Sequence, residues 1–118
     1  MWTCGIDWAE KHLDLCLQNP SGDVTSRQRV DNNEDGFHAI MALFADKNID
    51  EVGVAIESPH EPVVDFLLSR GISVYPVNPN AIDQYRKSLK VSEIRFPCDH
   101  NLVNLGFRIA KMEPISRV

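Results

Sequence analysis

Apolar residues in the first thirty positions recur at the short period of a strand. Trp2 to Trp8 is a brief, largely apolar run that reads as a first strand. Leu13, Leu15 and Leu17 then alternate with Asp14, Cys16 and Gln18, giving a second. Asn19-Pro20-Ser21-Gly22 predicts a turn, because proline fixes φ and glycine accepts positive φ. Asp23 to Val30 resumes as a polar third strand, so residues 3–30 form an antiparallel meander.

The period lengthens after Val30. Asp31-Asn32-Asn33 offers a helix N-cap, and Glu34 and Asp35 suit the positive end of a helix dipole. Phe37, Ile40, Met41 and Phe44 follow at the spacing of one helix face. Val52, Val54 and Ile56 form a short strand that ends at Glu57 and Ser58. Pro62 fits the first turn of a second helix carrying Val63, Phe66 and Leu67, which Gly71 closes. Ile72 to Val77 is a fifth strand. Asn78-Pro79 opens a third helix with Ile82, Tyr85 and Leu89, and a last helix is expected from about Asp99 to Met112, stopped before Pro114. This order predicts an α/β fold: a mixed five-stranded sheet, three antiparallel strands followed by parallel βα units, with helices on both faces. Right-handed crossovers place the Val52–Glu57 strand parallel to the first strand and beside it.

Composition narrows the class. A chain of 118 residues suits one domain, and 43% hydrophobic with 25% charged residues is globular composition. Nothing approaches the roughly 20 apolar residues of a membrane helix, and the N-terminus lacks a secretory core, so a cytoplasmic protein without a membrane partner is expected. Cys4, Cys16 and Cys98 are too few for a disulfide framework and contain no CxxC pair. The formal charge of −5 conceals an asymmetry. Residues 1–80 carry 13 acidic and 5 basic side chains, whereas residues 81–118 carry 4 and 7. Charge alone is most simply read as scatter on a solvated surface, the sharper reading being a cation site on one part and a polyanion contact on the other.

Two acids have a special address. Asp7 ends the first strand and Glu57 ends the fourth. Neighbouring parallel strands bring both to one rim, where open α/β sheets place ligands. Close carboxylates repel unless a cation lies between them or one is protonated. Hard cations such as Mg²⁺ or Mn²⁺ favour such oxygen ligands, and paired metals serve phosphodiester chemistry. A loop-capping Asp7 and a helix-capping Glu57 are the plainer alternatives.

Gly5-Ile6-Asp7-Trp8-Ala9-Glu10-Lys11, Leu13-Asp14, Gly22, Val54-Ala55-Ile56-Glu57-Ser58-Pro59, Leu67 to Gly71 and Val77-Asn78-Pro79 occur in that order. Over residues 3–92 the set resembles the N-terminal domain of the DEDD-type insertion-sequence transposases, relatives of the Piv invertase. The resemblance implies an RNase H-like, RuvC-like domain over residues 1–92 and a metal-dependent catalytic role in DNA transposition or site-specific recombination. Asp7 and Glu57 match the first two acids of the DEDD set. DNA is the implied partner, with a structured guide RNA in some members, and a homo-oligomer is expected. Arg86, Lys87 and Lys90 follow the fifth strand, and their charge makes them candidates for a nucleic-acid backbone; a solvated helix face is the plainer reading.

The pattern breaks after Ser92. The family places two aspartates close together at the start of a helix. Here Asp99 matches the last of them, as a third catalytic and metal-ligating acid, whereas Phe96 stands near the other and offers no oxygen. Residues 93–118 are therefore expected to be a divergent helix and tail, too short to supply the second domain and nucleophilic serine that the resemblance implies. A truncated or frameshifted remnant, catalytically inactive but folded and retaining nucleic-acid or self-association contacts, is the alternative function. A sugar-kinase or actin-like half shares the β-β-β-α start but needs glycines in the first hairpin, and Trp8-Ala9-Glu10 supplies none. Cys98-Asp99-His100 is no triad, because adjacent residues rarely face one another. His12, His38, His60 and His100 form no metal-binding spacing.

Overall fold

A computed structural model describes residues 1–57, 60–77 and 114–115. Strands β1 (Trp2–Trp8), β2 (His12–Gln18) and β3 (Val24–Asp31) are joined by two short connections. Helix α1 (Glu34–Leu43), a single 3₁₀ turn (Ile49–Glu51), β4 (Val52–Ile56), α2 (Pro62–Ser69) and β5 (Ser73–Pro76) follow. One five-stranded sheet has the order β3-β2-β1-β4-β5. The β1–β2 and β2–β3 pairs are antiparallel, and β4 lies parallel to both β1 and β5. The predicted mixed sheet and the β1–β4 neighbourhood are both found.

Local chemistry explains the element ends. In the β2–β3 turn, Asn19 Oδ1 accepts from the Ser21 and Asp23 amides at 3.0 and 2.9 Å, and Gly22 takes φ 90°. A register shift at Leu17/Gln18 leaves Thr25 of β3 as an extra, unpaired residue. Asn33 caps α1 by accepting from the Gly36 amide at 3.0 Å. Pro62 opens α2, where its missing N–H is harmless. That helix ends at Gly71, φ 79°, with the Gly71 amide bonded to the Leu68 carbonyl and the Ile72 amide to the Leu67 carbonyl. This is the paired closure that a left-handed residue permits, and buried Ile72 and Leu67 seal it.

Both described helices cover the same face of the sheet. Cys4, Ile6, Leu13, Leu15, Leu17, Val54 and Val74 point from the strands into a core closed by Phe37, Ile40 and Phe44 of α1 and its C-cap and by Val63, Val64 and Leu67 of α2. At about 25 cal/mol per Å² of apolar surface removed from water, this cluster supplies the main driving force. The alternate positions form a second face of small or polar side chains, with Gly5, Cys16, Gln18, Ala55 and Tyr75 all buried. The third and last helices expected over 79–89 and 99–112 lie outside the described residues. Ile115 donates from its amide to the Val74 carbonyl at 2.7 Å, beside β5. Among the described residues no helix is long and apolar enough to cross a membrane.

Candidate metal centre

Strand pairing fixes the position of both predicted acids. The parallel β1–β4 ladder runs from Trp2↔Val52 to Ile6↔Ile56; Asp7 follows its last pair on β1, and Glu57 directly follows the end of β4, so both acids stand at the C-terminal ends of adjacent parallel strands. Adjacent strands lie about 4.8 Å apart, and residues at matched register share a face. Both acids are exposed, and Asp7 belongs to the face of small residues, in line with Gly5. Val77, whose amide donates to the Ile56 carbonyl at 2.9 Å, continues that rim past β5.

The opposite edge of β1 adds charges to which the sequence assigned no site role. In the β1–β2 hairpin Asp14 is the direct partner of Asp7, and in the β2–β3 hairpin Arg29 is the direct partner of Asp14. The rim therefore carries Glu57, Asp7, Asp14 and Arg29 on four adjacent strands. Arg29 grips Asp14 with two hydrogen bonds, Nε to Oδ1 at 2.8 Å and Nη2 to Oδ2 at 3.2 Å. Burial holds the Asp7 carboxyl above the ordinary aspartate range, the Asp14 charge pushes it the same way, and His12 opposes both. Arg29 keeps Asp14 below that range through its hydrogen bonds. The Asp7–Asp14 pairing follows from the β1–β2 hairpin alone, whereas the Asp14–Arg29 pairing also needs the register shift at Leu17/Gln18.

The loop beyond Asp7 is tied down. Asn32 Nδ2 donates to the Ala9 carbonyl at 2.8 Å and the Glu10 carbonyl at 3.3 Å, and the Asn32 amide donates to the Lys11 carbonyl at 3.0 Å. This couples the β1–β2 turn to the β3–α1 junction and fixes the exit of the Asp7 strand. The neighbouring Trp8 indole N–H is buried with no acceptor among the described residues.

The donor set suits a hard divalent cation. It offers only oxygen, it concentrates negative charge at two adjacent strand ends, and Asp7 already carries an electrostatic cost that a cation relieves. Among the described residues, no group of three or more His, Cys, Asp or Glu side chains is placed to hold a metal ion. The rim supplies a pair, and the third acid, Asp99, lies outside the described residues, as do Arg86, Lys87 and Lys90.

A five-stranded mixed sheet in this order, with an acid ending each of two adjacent parallel strands, defines an RNase H-like domain. Residues 4–93 match the model of a family described as transposase, the DEDD type named for IS110. The chain is 33% identical over 92 residues to the "Mini-circle putative transposase for IS117" of Streptomyces coelicolor, across 75% of this chain and 22% of that protein. It is 33% identical over 86 residues to the "Putative transposase y4uE" of Sinorhizobium fredii, across 70% of this chain and 24% of the relative. The chain belongs to the DEDD transposase family, and it spans less than a quarter of the length of these two relatives.

Proposed function

We propose that residues 1–92 are the N-terminal, metal-dependent catalytic domain of a DNA transposase or site-specific recombinase. The observation that carries this reading is the placement of Asp7 and Glu57 at the C-terminal ends of adjacent parallel strands, on the rim of a DEDD-family sheet. Asp7 and Glu57 would hold Mg²⁺ or Mn²⁺, with Asp99 as a further oxygen donor. Such an ion supplies Lewis-acid polarisation of a phosphodiester and stabilises charge on the displaced oxygen. The chain's own contribution is placement: the central strands fix the two carboxylates, and Asn32 fixes the loop that follows. Arg86, Lys87 and Lys90 would contact the DNA backbone. A structured guide RNA and a second copy of the chain are the further partners proposed.

Phe96 favours a second reading, a fold that persists without catalysis, because phenylalanine stands where the family places an aspartate. Titration of Mn²⁺ into the wild type and Asp7→Ala, followed by calorimetry, separates the two. Millimolar or tighter binding in the wild type that disappears in the variant supports a working site. Indistinguishable titrations sink the catalytic reading for this chain.

A further inference from the structure

Asp14 stands between a like charge on β1 and an opposite one on β3. Like charges directly opposite one another on antiparallel strands are destabilising, and Asp14 directly faces Asp7. Its ion pair with Arg29 is a weak structural reason for accepting that cost. The two side chains remain 37% and 64% exposed, and exposed pairs contribute little to stability. A cation beside Asp7 would relieve the repulsion between the two facing carboxylates.

We infer that Asp14, clamped by Arg29, is a positioning residue of the cation site that sets its affinity through the field at Asp7. Arg29 engages both Asp14 oxygens side-on, which holds the carboxylate at β2. Asp14 thereby acts on the ion without ligating it. The clamp is also a brake. The guanidinium cancels part of the Asp14 field, so the pair fixes the potential at the rim at an intermediate value. Neither residue belongs to the acids carried over from the family pattern. The inference rests on the metal reading above and deepens it.

A charge cycle tests it, with Mn²⁺ affinity read by electron paramagnetic resonance of the free ion at low ionic strength. A unit charge one or two strand spacings away changes the affinity of an exposed site for a divalent ion by about three- to tenfold. Asp14→Asn should weaken Mn²⁺ by that factor, and Arg29→Gln should tighten it by a similar one. The double variant, with the wild-type net charge restored, should return to within about twofold of wild type. Asp14→Glu and Arg29→Lys, which keep the charges, should stay near wild type. If Asp14→Asn proves unfolded by circular dichroism, the opposed behaviour of Arg29→Gln and Arg29→Lys decides alone.

Unchanged affinity in Asp14→Asn and Arg29→Gln, with only a lower Tm, overturns the inference and leaves a cross-strand clamp. Asp7→Ala, run alongside, identifies the other failure. Binding lost in Asp7→Ala but indifferent to residues 14 and 29 refutes the positioning role alone. Binding that is absent in wild type, or indifferent to Asp7, refutes the metal site itself and the positioning role with it.

Discussion

Asp7 is held in a state that disfavours its own charge, and this has a sign that can be measured. Burial and the Asp14 carboxylate raise its folded pKa above the unfolded value. A raised carboxyl contributes stability below the unfolded pKa, near 3.9, and loses it as pH rises through the folded pKa. Ionised Asp7 at neutral pH therefore weakens the cation-free fold. Asp7→Asn, neutral at every pH, should melt about 1–2 °C above wild type at pH 7 without divalent ion, a few tenths of a kcal/mol after solvent screening. The difference should vanish near pH 3, where wild-type Asp7 is protonated. Lower stability of Asp7→Asn at pH 7 would contradict the strained-carboxylate account. Asp14 titrates in the opposite sense: Arg29 depresses its pKa, so its contribution is present above the unfolded value and is lost as pH falls through the folded one. A residue kept ionised against the interest of the fold is what a cation-binding role predicts.

Elements were largely legible where one signal governed each of them. Alternation in Leu13, Leu15 and Leu17 gave β2, Asn33 with Glu34 and Asp35 marked the start of α1, and Gly71 marked the end of α2. Handed crossovers then placed β4 beside β1, and with it Glu57 beside Asp7. What stayed hidden depends on pairs of elements meeting. The Asp14–Arg29 grip needs the register of two hairpins, including a shift at Leu17/Gln18 that no composition rule announces. The 3₁₀ turn at Ile49–Glu51 is one turn long and has no periodicity to detect. Gly36 shows the difference in sign. By helix propensity, Gly36→Ala inside α1 should gain up to about 1 kcal/mol. In the fold, a Cβ there would lie 1.7 Å from the Asp31 carbonyl oxygen, an atom of the backbone that ends β3. Neither chain can yield cheaply, so Gly36→Ala should instead destabilise by about 1–3 kcal/mol or more. The urea midpoint measures it, and a rise in midpoint would show that α1 can shift away from β3.

At the scale of the whole molecule, charge distribution separates two tasks that the net value of −5 obscures. A polyanion meeting the rim of Glu57, Asp7 and Asp14 is repelled unless a cation intervenes, so the DNA binding proposed above would draw its attraction from elsewhere. Residues 81–118 hold 7 of the 12 basic side chains, and Arg86, Lys87 and Lys90 follow β5 closely in sequence. Each backbone phosphate neutralised by a basic side chain adds about 0.9 to the slope of log affinity against log salt on duplex DNA. If these three residues make the contacts proposed, reversing them together to glutamate should lower that slope by about 2.7 as well as weaken binding. Substituting Asp7 should leave the slope unchanged in the absence of divalent ion, because Asp7 neutralises no phosphate. Fluorescence anisotropy with a labelled duplex across 50–200 mM salt reads both. An unchanged slope in the triple variant would reduce the basic segment to solvated surface and move the search for the nucleic-acid contact to Arg27 and Arg70, basic residues already exposed on the described part of the fold.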